Sequence, residues 1–360
     1  MKLGGTEMFL MNYYRKLDTE RVQFDFVFQG DDNGLFDQEI NERGGLIFHI
    51  PFKGKHPIKF SNGLASLIKN RQYKVVYGQM DAMNAWVLWI AKKNHVPVRI
   101  SHSHSSNVQG GFVKRIFNQF VKRFIPFVAT DFWCCGELAG RWLYGDKLFD
   151  SGKVITIHNA IDLEDYKFDI VSRTRIREKY NLSDSFVIGT VGRLSDVKNH
   201  SFLIDVYSEV QKMLKNSKLL LVGDGPLRKK LEEKVNQLGL SEFVIFTGNQ
   251  SKPALFYNAM DVFILPSFFE GLSISMIEAQ ANGLKCICSN GVTEESHINN
   301  VLQLNLDEDI RKWRDSIISC KDYCRVDNSK ELKAKGFDIS VEAKKMTESI
   351  ESLIKEREGE

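Results

Sequence analysis

The 360-residue chain, 43% hydrophobic and 26% charged, has the composition of a soluble globular protein and is too long for a single compact core. No apolar run reaches the ~20 residues of a membrane helix, no secretory signal precedes the first helix, and the six cysteines form no CxxC pair. The formal charge of +3 is uneven: residues 1–160 carry 21 Lys and Arg against 14 Asp and Glu, the remainder 28 against 32, so an anionic ligand or surface belongs with the first half.

The chain opens with GGTEMFLMNYYRKL, where Gly4 and Gly5 lead into a helix predicted over 7–17. Only Met1, Lys2 and Leu3 precede it, whereas a βαβ domain begins with a strand. Translation is therefore expected to start upstream and to supply roughly ten more residues reading as an apolar strand. Strands follow near 22–28, 46–50, 74–77, 97–101 and 127–133. In RISHSHSS, His102 and His104 sit at strand spacing on one side of the sheet. They lack a third ligand for a metal, so they either bond within the sheet end or face a sugar hydroxyl. Over 110–127, Val113, Ile116, Phe117, Phe120, Val121 and Phe124 form one helical face, with Lys114, Arg115, Lys122 and Arg123 opposite. Core packing is the simpler explanation of that stripe, and docking of 110–125 on anionic lipid is compatible with it.

IHNAIDLEDYKFD, around 157–169, reads as a linker. Beyond it, strands at 186–191, 218–222, 243–247, 262–265 and 285–288 alternate with helices, the signature of a parallel sheet covered on both faces. In GTVGRLSDVKNH, Arg193 and Lys198 follow the first of these strands, where two cations can neutralise a diphosphate. LVGDGP lacks GxGxxG, so Gly223 marks either a tight turn or a nucleotide-contacting one. In PSFFEGLSISMIEAQANG, a helix starts near Ser273, and the N–H groups of Gly271, Leu272 and Ser273 favour an anion. Glu270 lies in the loop before it, and Glu278 must face inward to accept hydrogen bonds from a vicinal diol such as ribose. Residues 341–357 read as an exposed helix of alternating charge.

The fold expected is two doubly wound Rossmann-like domains, 1–158 and 159–340, facing across a ligand-binding cleft. A terminal helix over 341–360 is free to cross back to the first. VPVRISHSHSS, VGRLSDVKN, LVGDGPLRKKLE and AMDVFILPSFFEGLSISMIEAQANG together resemble the family 4 glycosyltransferases, retaining enzymes of GT-B architecture, and in particular those of bacterial exopolysaccharide and capsule assembly. The resemblance spans nearly the whole chain and rests on an E-x7-E element with GRx4K upstream. It implies that Glu270 contacts the donor sugar and Glu278 the ribose. Arg193 and Lys198 would bind the diphosphate, Gly4 and Gly5 would approach the phosphates, and His104 or His102 would contact the sugar. Asn159 resembles the family's NG-x-D linker element, with Ala160 in place of glycine. The donor implied is a UDP- or GDP-linked sugar, with no metal or other cofactor. The acceptor implied is a lipid-linked glycan, at the cytoplasmic face of the plasma membrane and without nucleic acid. The alternatives are a nucleotide-sugar epimerase of the same architecture or a non-catalytic nucleotide-sugar-binding remnant.

Overall fold

The computed structural model describes residues 5–30, 34–105 and 111–359. The expected upstream strand, the Gly4 assignment and the first residue of the 110–125 segment fall outside them. The chain divides into two compact units, residues 1–160 with 338–360, and residues 161–337.

In the first unit β1 (Phe26–Gln29) pairs parallel with β2 (Ile47–Ile50) as a separate two-stranded sheet. The other four strands are β3 (Val75–Gly78), β4 (Val98–Ser103), β5 (Asp131–Cys134) and β6 (Val154–Thr156), parallel and in chain order. Two expected strands are shorter than their apolar runs. Before Phe26, the Asp25 carboxylate accepts from the Leu46 N–H, a side chain replacing a ladder partner. Residues 127–128 close a short helix, Ile125–Val128, with Pro126 in its first turn, where its missing N–H costs nothing. β6 and the later β12 are runs of three and four residues that the apolar pattern did not separate from their surroundings.

The second unit has one parallel sheet. β7 (Phe186–Val191), β8 (Ser217–Val222), β9 (Val244–Phe246), β10 (Val262–Leu265), β11 (Lys285–Ser289) and β12 (Val301–Leu304) lie in the order β12-β11-β10-β7-β8-β9. Successive residues enter opposite cores. Ile188, Leu219 and Leu221 lie in one, and Val187, Leu220 and Val222 in the other. Burial on both faces explains why these strands are continuously apolar. The order reverses between β7 and β10, so the loops leaving their carboxyl ends diverge and open a crevice.

The helix Ile339–Glu358 is not the exposed element expected. Ile339, Ala343, Met346 and Ile350 are buried in one cluster with Phe9, Met11 and Tyr13 of the helix Gly5–Lys16. Their spacing places them along one stripe, and the alternating charges occupy the remaining faces. The described residues contain no helix long and apolar enough to cross a membrane. Five cysteines are buried, Cys324 is exposed, and all six are free thiols.

Candidate active site

The crevice at the carboxyl ends of β7 and β10 is built by loops packed backbone against backbone. Gly192 N–H donates to Val222 O at 2.9 Å, and Leu194 N–H to Asp224 O at 3.0 Å. A Cβ on Gly223 would lie 2.1 Å from Gly192 O, and one on Gly225 2.4 Å from Leu194 O. These glycines therefore hold the Arg193 loop, and close packing with φ of +135° accounts for Gly223. Arg193 is exposed and forms no ion pair among the described residues.

Lys198 ends a single 3-10 turn, Asp196–Lys198, and its Nζ lies 2.7 Å from Glu270 Oε1. Ser267 Oγ donates to the same oxygen at 3.0 Å. The β7 and β10 loops are tied through Phe268 N–H to Val197 O at 2.8 Å, and Glu270 N–H donates to Gly291 O at 2.8 Å. Glu270 Oε2 has no partner among the described residues. Gly271 and Leu272 then lead to Ser273, the N-cap of the helix Ile274–Ala281, where no side chain caps the N–H groups. A free, positive helix end thus stands next to Glu270 and Lys198.

Glu278 lies on the inner side of this helix and is 9% exposed. Its Oε1 accepts from Tyr166 Oη and its Oε2 from Tyr257 Oη, both at 2.6 Å. Burial raises its pKa, and the two phenols and the nearby Lys198 oppose that rise. Each carboxylate oxygen retains a lone pair for a further donor. The tyrosines escaped the sequence reading. Tyr257 sits in an apolar stretch that reads as core, and Tyr166 in the segment read as linker. Ser267 likewise looked like loop polarity.

In the first unit His102 lies in β4 and His104 just past its end, and their rings stack 4.1 Å apart. His102 is fully buried, bonded through Nδ1 to Tyr77 Oη, and its Nε2 has no hydrogen-bond partner among the described residues. His104 is partly exposed, bonded through Nε2 to Gln79 Oε1, and its backbone N–H donates to Asp81 Oδ1 at 2.8 Å. Burial lowers the pKa of His104 to about 4 and that of His102 well below the ordinary value, so both rings are neutral near pH 7. Asp81 holds a left-handed backbone with φ of +48°, strained for a non-glycine residue. Among the described residues no group of three His, Cys, Asp or Glu could hold a metal ion. Gly5 opens the helix Gly5–Lys16, with open space where a Cβ would stand.

The sequence profile "Glycosyltransferase Family 4" matches residues 3–165, and "Glycosyl transferases group 1" matches residues 172–301. EpsF of Bacillus subtilis (strain 168), named as a glycosyltransferase, is 34% identical over 88% of this chain and 84% of its own length. The UDP-Gal:alpha-D-GlcNAc-diphosphoundecaprenol alpha-1,3-galactosyltransferase of Escherichia coli is 31% identical over 63% of this chain and 60% of its own. Among solved structures, Anabaena HepE in complex with UDP and glucose superposes with a TM-score of 0.76 at 18% identity, covering 97% of this chain and 96% of that one.

Proposed function

We propose that this chain, which belongs to the family 4 glycosyltransferases, is a retaining enzyme that moves a sugar from a UDP- or GDP-linked donor to a lipid-linked glycan in surface polysaccharide assembly. The observation that carries the donor site is the Lys198–Glu270 ion pair, formed where the β7 and β10 loops diverge, beside an uncapped helix end and the buried Glu278. The HepE complex with UDP and the E. coli relative's diphosphoundecaprenol acceptor favour the two substrate classes.

Each group has a distinct task in this reading. Arg193, free of carboxylates, and Lys198, aimed by Glu270, meet the diphosphate together with the N–H groups before Ile274. Preorganised cations and dipoles stabilise the charge that gathers on the diphosphate as it leaves. Glu278, fixed by two phenols, accepts the ribose hydroxyls, and Glu270 Oε2 accepts a sugar hydroxyl. His104, at the exposed end of β4, contacts the sugar as a neutral ring. The bond from the anomeric carbon to the phosphate oxygen breaks, and the bond to the acceptor oxygen forms on the same face. The acceptor proton passes to the departing phosphate. No metal or other cofactor enters this scheme.

Membrane attachment belongs to the helical segment after residue 111. Most of its apolar face is not core, contrary to the simpler expectation: Val113 is 80% exposed, Phe120 58% and Phe117 52%, and Ile116 and Phe124 are also exposed, while Val121 packs against the buried Ile125 and Leu143 cluster. Such a row, carrying Arg115 and Arg123, fits the anionic inner face of the plasma membrane.

Purified protein should release nucleotide from one of a panel of UDP- and GDP-sugars only when a polyprenyl-diphosphate-linked sugar is present. Nuclear magnetic resonance of the product should show the donor's anomeric configuration. Release without acceptor, or an inverted product, would overturn the assignment.

A further inference from the structure

A cavity of about 600 Å³ opens in the first unit where the chain leaves β2, β3 and β4, and none of the donor groups of the second unit lines it. Two cations do: Lys53, just past β2, and Lys114, on the helix Phe112–Val121. Neither has a carboxylate within salt-bridge distance among the described residues. The Lys53 ammonium donates to the neutral Gln29 Oε1, at a long 3.4 Å. The one acid in the wall, Asp81, is engaged by the His104 N–H and by Ser105. Burial and the charge of Lys114 both lower the proton affinity of Lys53, so the cavity brings two like charges together where an anion would offset their repulsion.

The rest of the wall is mainly apolar, from Met80, Met83, Phe117 and Trp142, with Ser105 and Asn118 among them. Phe117 also belongs to the exposed row, which continues through Phe120 and Phe124, whose rings meet edge to face at 5.3 Å. A cationic floor therefore runs without interruption into an apolar track. A free sugar would leave the two cations uncompensated, and a free anion would leave the track unused. The matching ligand has a compact polyanion at one end of a hydrocarbon chain.

We infer that this cavity seats the diphosphate of a prenyl-diphosphate-linked acceptor, with Lys53 and Lys114 on the phosphate oxygens and Phe117, Met83 and Trp142 against the first isoprenoid units. The inference rests on the acceptor class proposed above and adds where, and by which groups, its invariant part is recognised. The diphosphate and first isoprene units are the same whatever glycan the lipid carries, so the site is independent of the acceptor's sugar.

The test is equilibrium binding to the full chain, with the nucleoside diphosphate saturating so that the donor crevice is filled. Farnesyl diphosphate, inorganic pyrophosphate and farnesol are the three probes, read by calorimetry or by Trp142 fluorescence. Farnesyl diphosphate should bind at least tenfold more tightly than either of the others. Lys53→Gln and Lys114→Gln should each weaken it tenfold or more, and Lys53→Arg should restore most of the loss. Phe117→Ser, at an exposed position that does not threaten folding, should weaken farnesyl diphosphate and leave pyrophosphate unchanged. Both glutamine variants staying within twofold of the parent protein, or pyrophosphate matching farnesyl diphosphate, would overturn the inference. A chain that transfers sugar but does not bind farnesyl diphosphate sinks this inference alone. One that binds neither UDP nor GDP counts against the donor assignment, and the cavity is then judged by the same probes without nucleotide.

Discussion

Glu278 enters any donor complex already aimed, because a phenol from each of two separate segments of the second unit donates to one of its oxygens. Glu278→Ala should weaken nucleoside diphosphate binding by about 1.5–3 kcal/mol, the scale of hydrogen bonds to a charged group. Calorimetry reads it directly, and unchanged affinity removes the ribose role. Tyr257→Phe tests the support beneath it. That phenol is fully buried, so its loss strands a carboxylate oxygen and should lower stability by about 1–3 kcal/mol, seen as an earlier denaturant midpoint. Glu270 is different, since it binds Lys198 and Ser267 at a partly open loop. Glu270→Ala should depress turnover far more than nucleotide affinity, and an equal loss in both would make it merely a binding group.

The helical segment after residue 111 shows what periodicity can and cannot tell. Its two faces were legible from spacing alone, because apolar side chains three and four apart must share a side. Whether that side is inward depends on what packs against it, which a local pattern does not contain. The four cations also separate only in three dimensions. Lys122 donates to Trp142 O and lies 5.0 Å over that ring, and Lys114 lines the cavity, so Arg115 and Arg123 are left for lipid. Replacing Arg115 and Arg123 by glutamine should cost roughly 1 kcal/mol each in binding to anionic vesicles, less in high salt. Equal co-sedimentation of parent and variant would show that the row does not dock on lipid through these charges. The donor loops tell a similar story. Arg193, Lys198 and the glutamates stand out as chemistry in sequence, but Gly223 and Gly225 stand out only as turns. Their tight fit against Gly192 and Leu194 joins segments far apart in sequence, a relation invisible without the sheet order.

At the scale of the molecule, three neutral histidines, His102 and His200 buried and His104 partly so, set a floor on acid tolerance. His104 and His200 are brought to about 4 and His102 well below its ordinary value, chiefly by burial. An unfolded histidine takes its proton near pH 6.5 and these do not, so the unfolded chain binds more protons below that pH. Stability should therefore be fully present above about pH 6.5 and fall towards pH 4, by at most about 1.4 kcal/mol per pH unit for each histidine. His200→Phe should flatten part of that slope in denaturant titrations at pH 5 and 7, and an unchanged slope would exclude His200 from it. The buried residues of the helix Ile339–Glu358 carry a comparable weight. Met346→Ala should cost about 2–5 kcal/mol, expressed as loss of the first unit's structure with nucleotide binding by the second preserved.

That helix also fixes an order of events at the ribosome. Residues 161–337 form a contiguous unit and can close their core as soon as they emerge, whereas the unit made first must wait for residues beyond 338 to arrive. Phe9, Met11 and Tyr13 meet Ile339, Ala343, Met346 and Ile350 only after the whole of residues 161–337 has been translated. At about 5–20 residues per second, the more than 300 residues between them keep that apolar surface open for roughly 15 seconds or longer. The first half of this protein is thus the part most exposed to chaperones and proteases during its own synthesis, and the last part to become native.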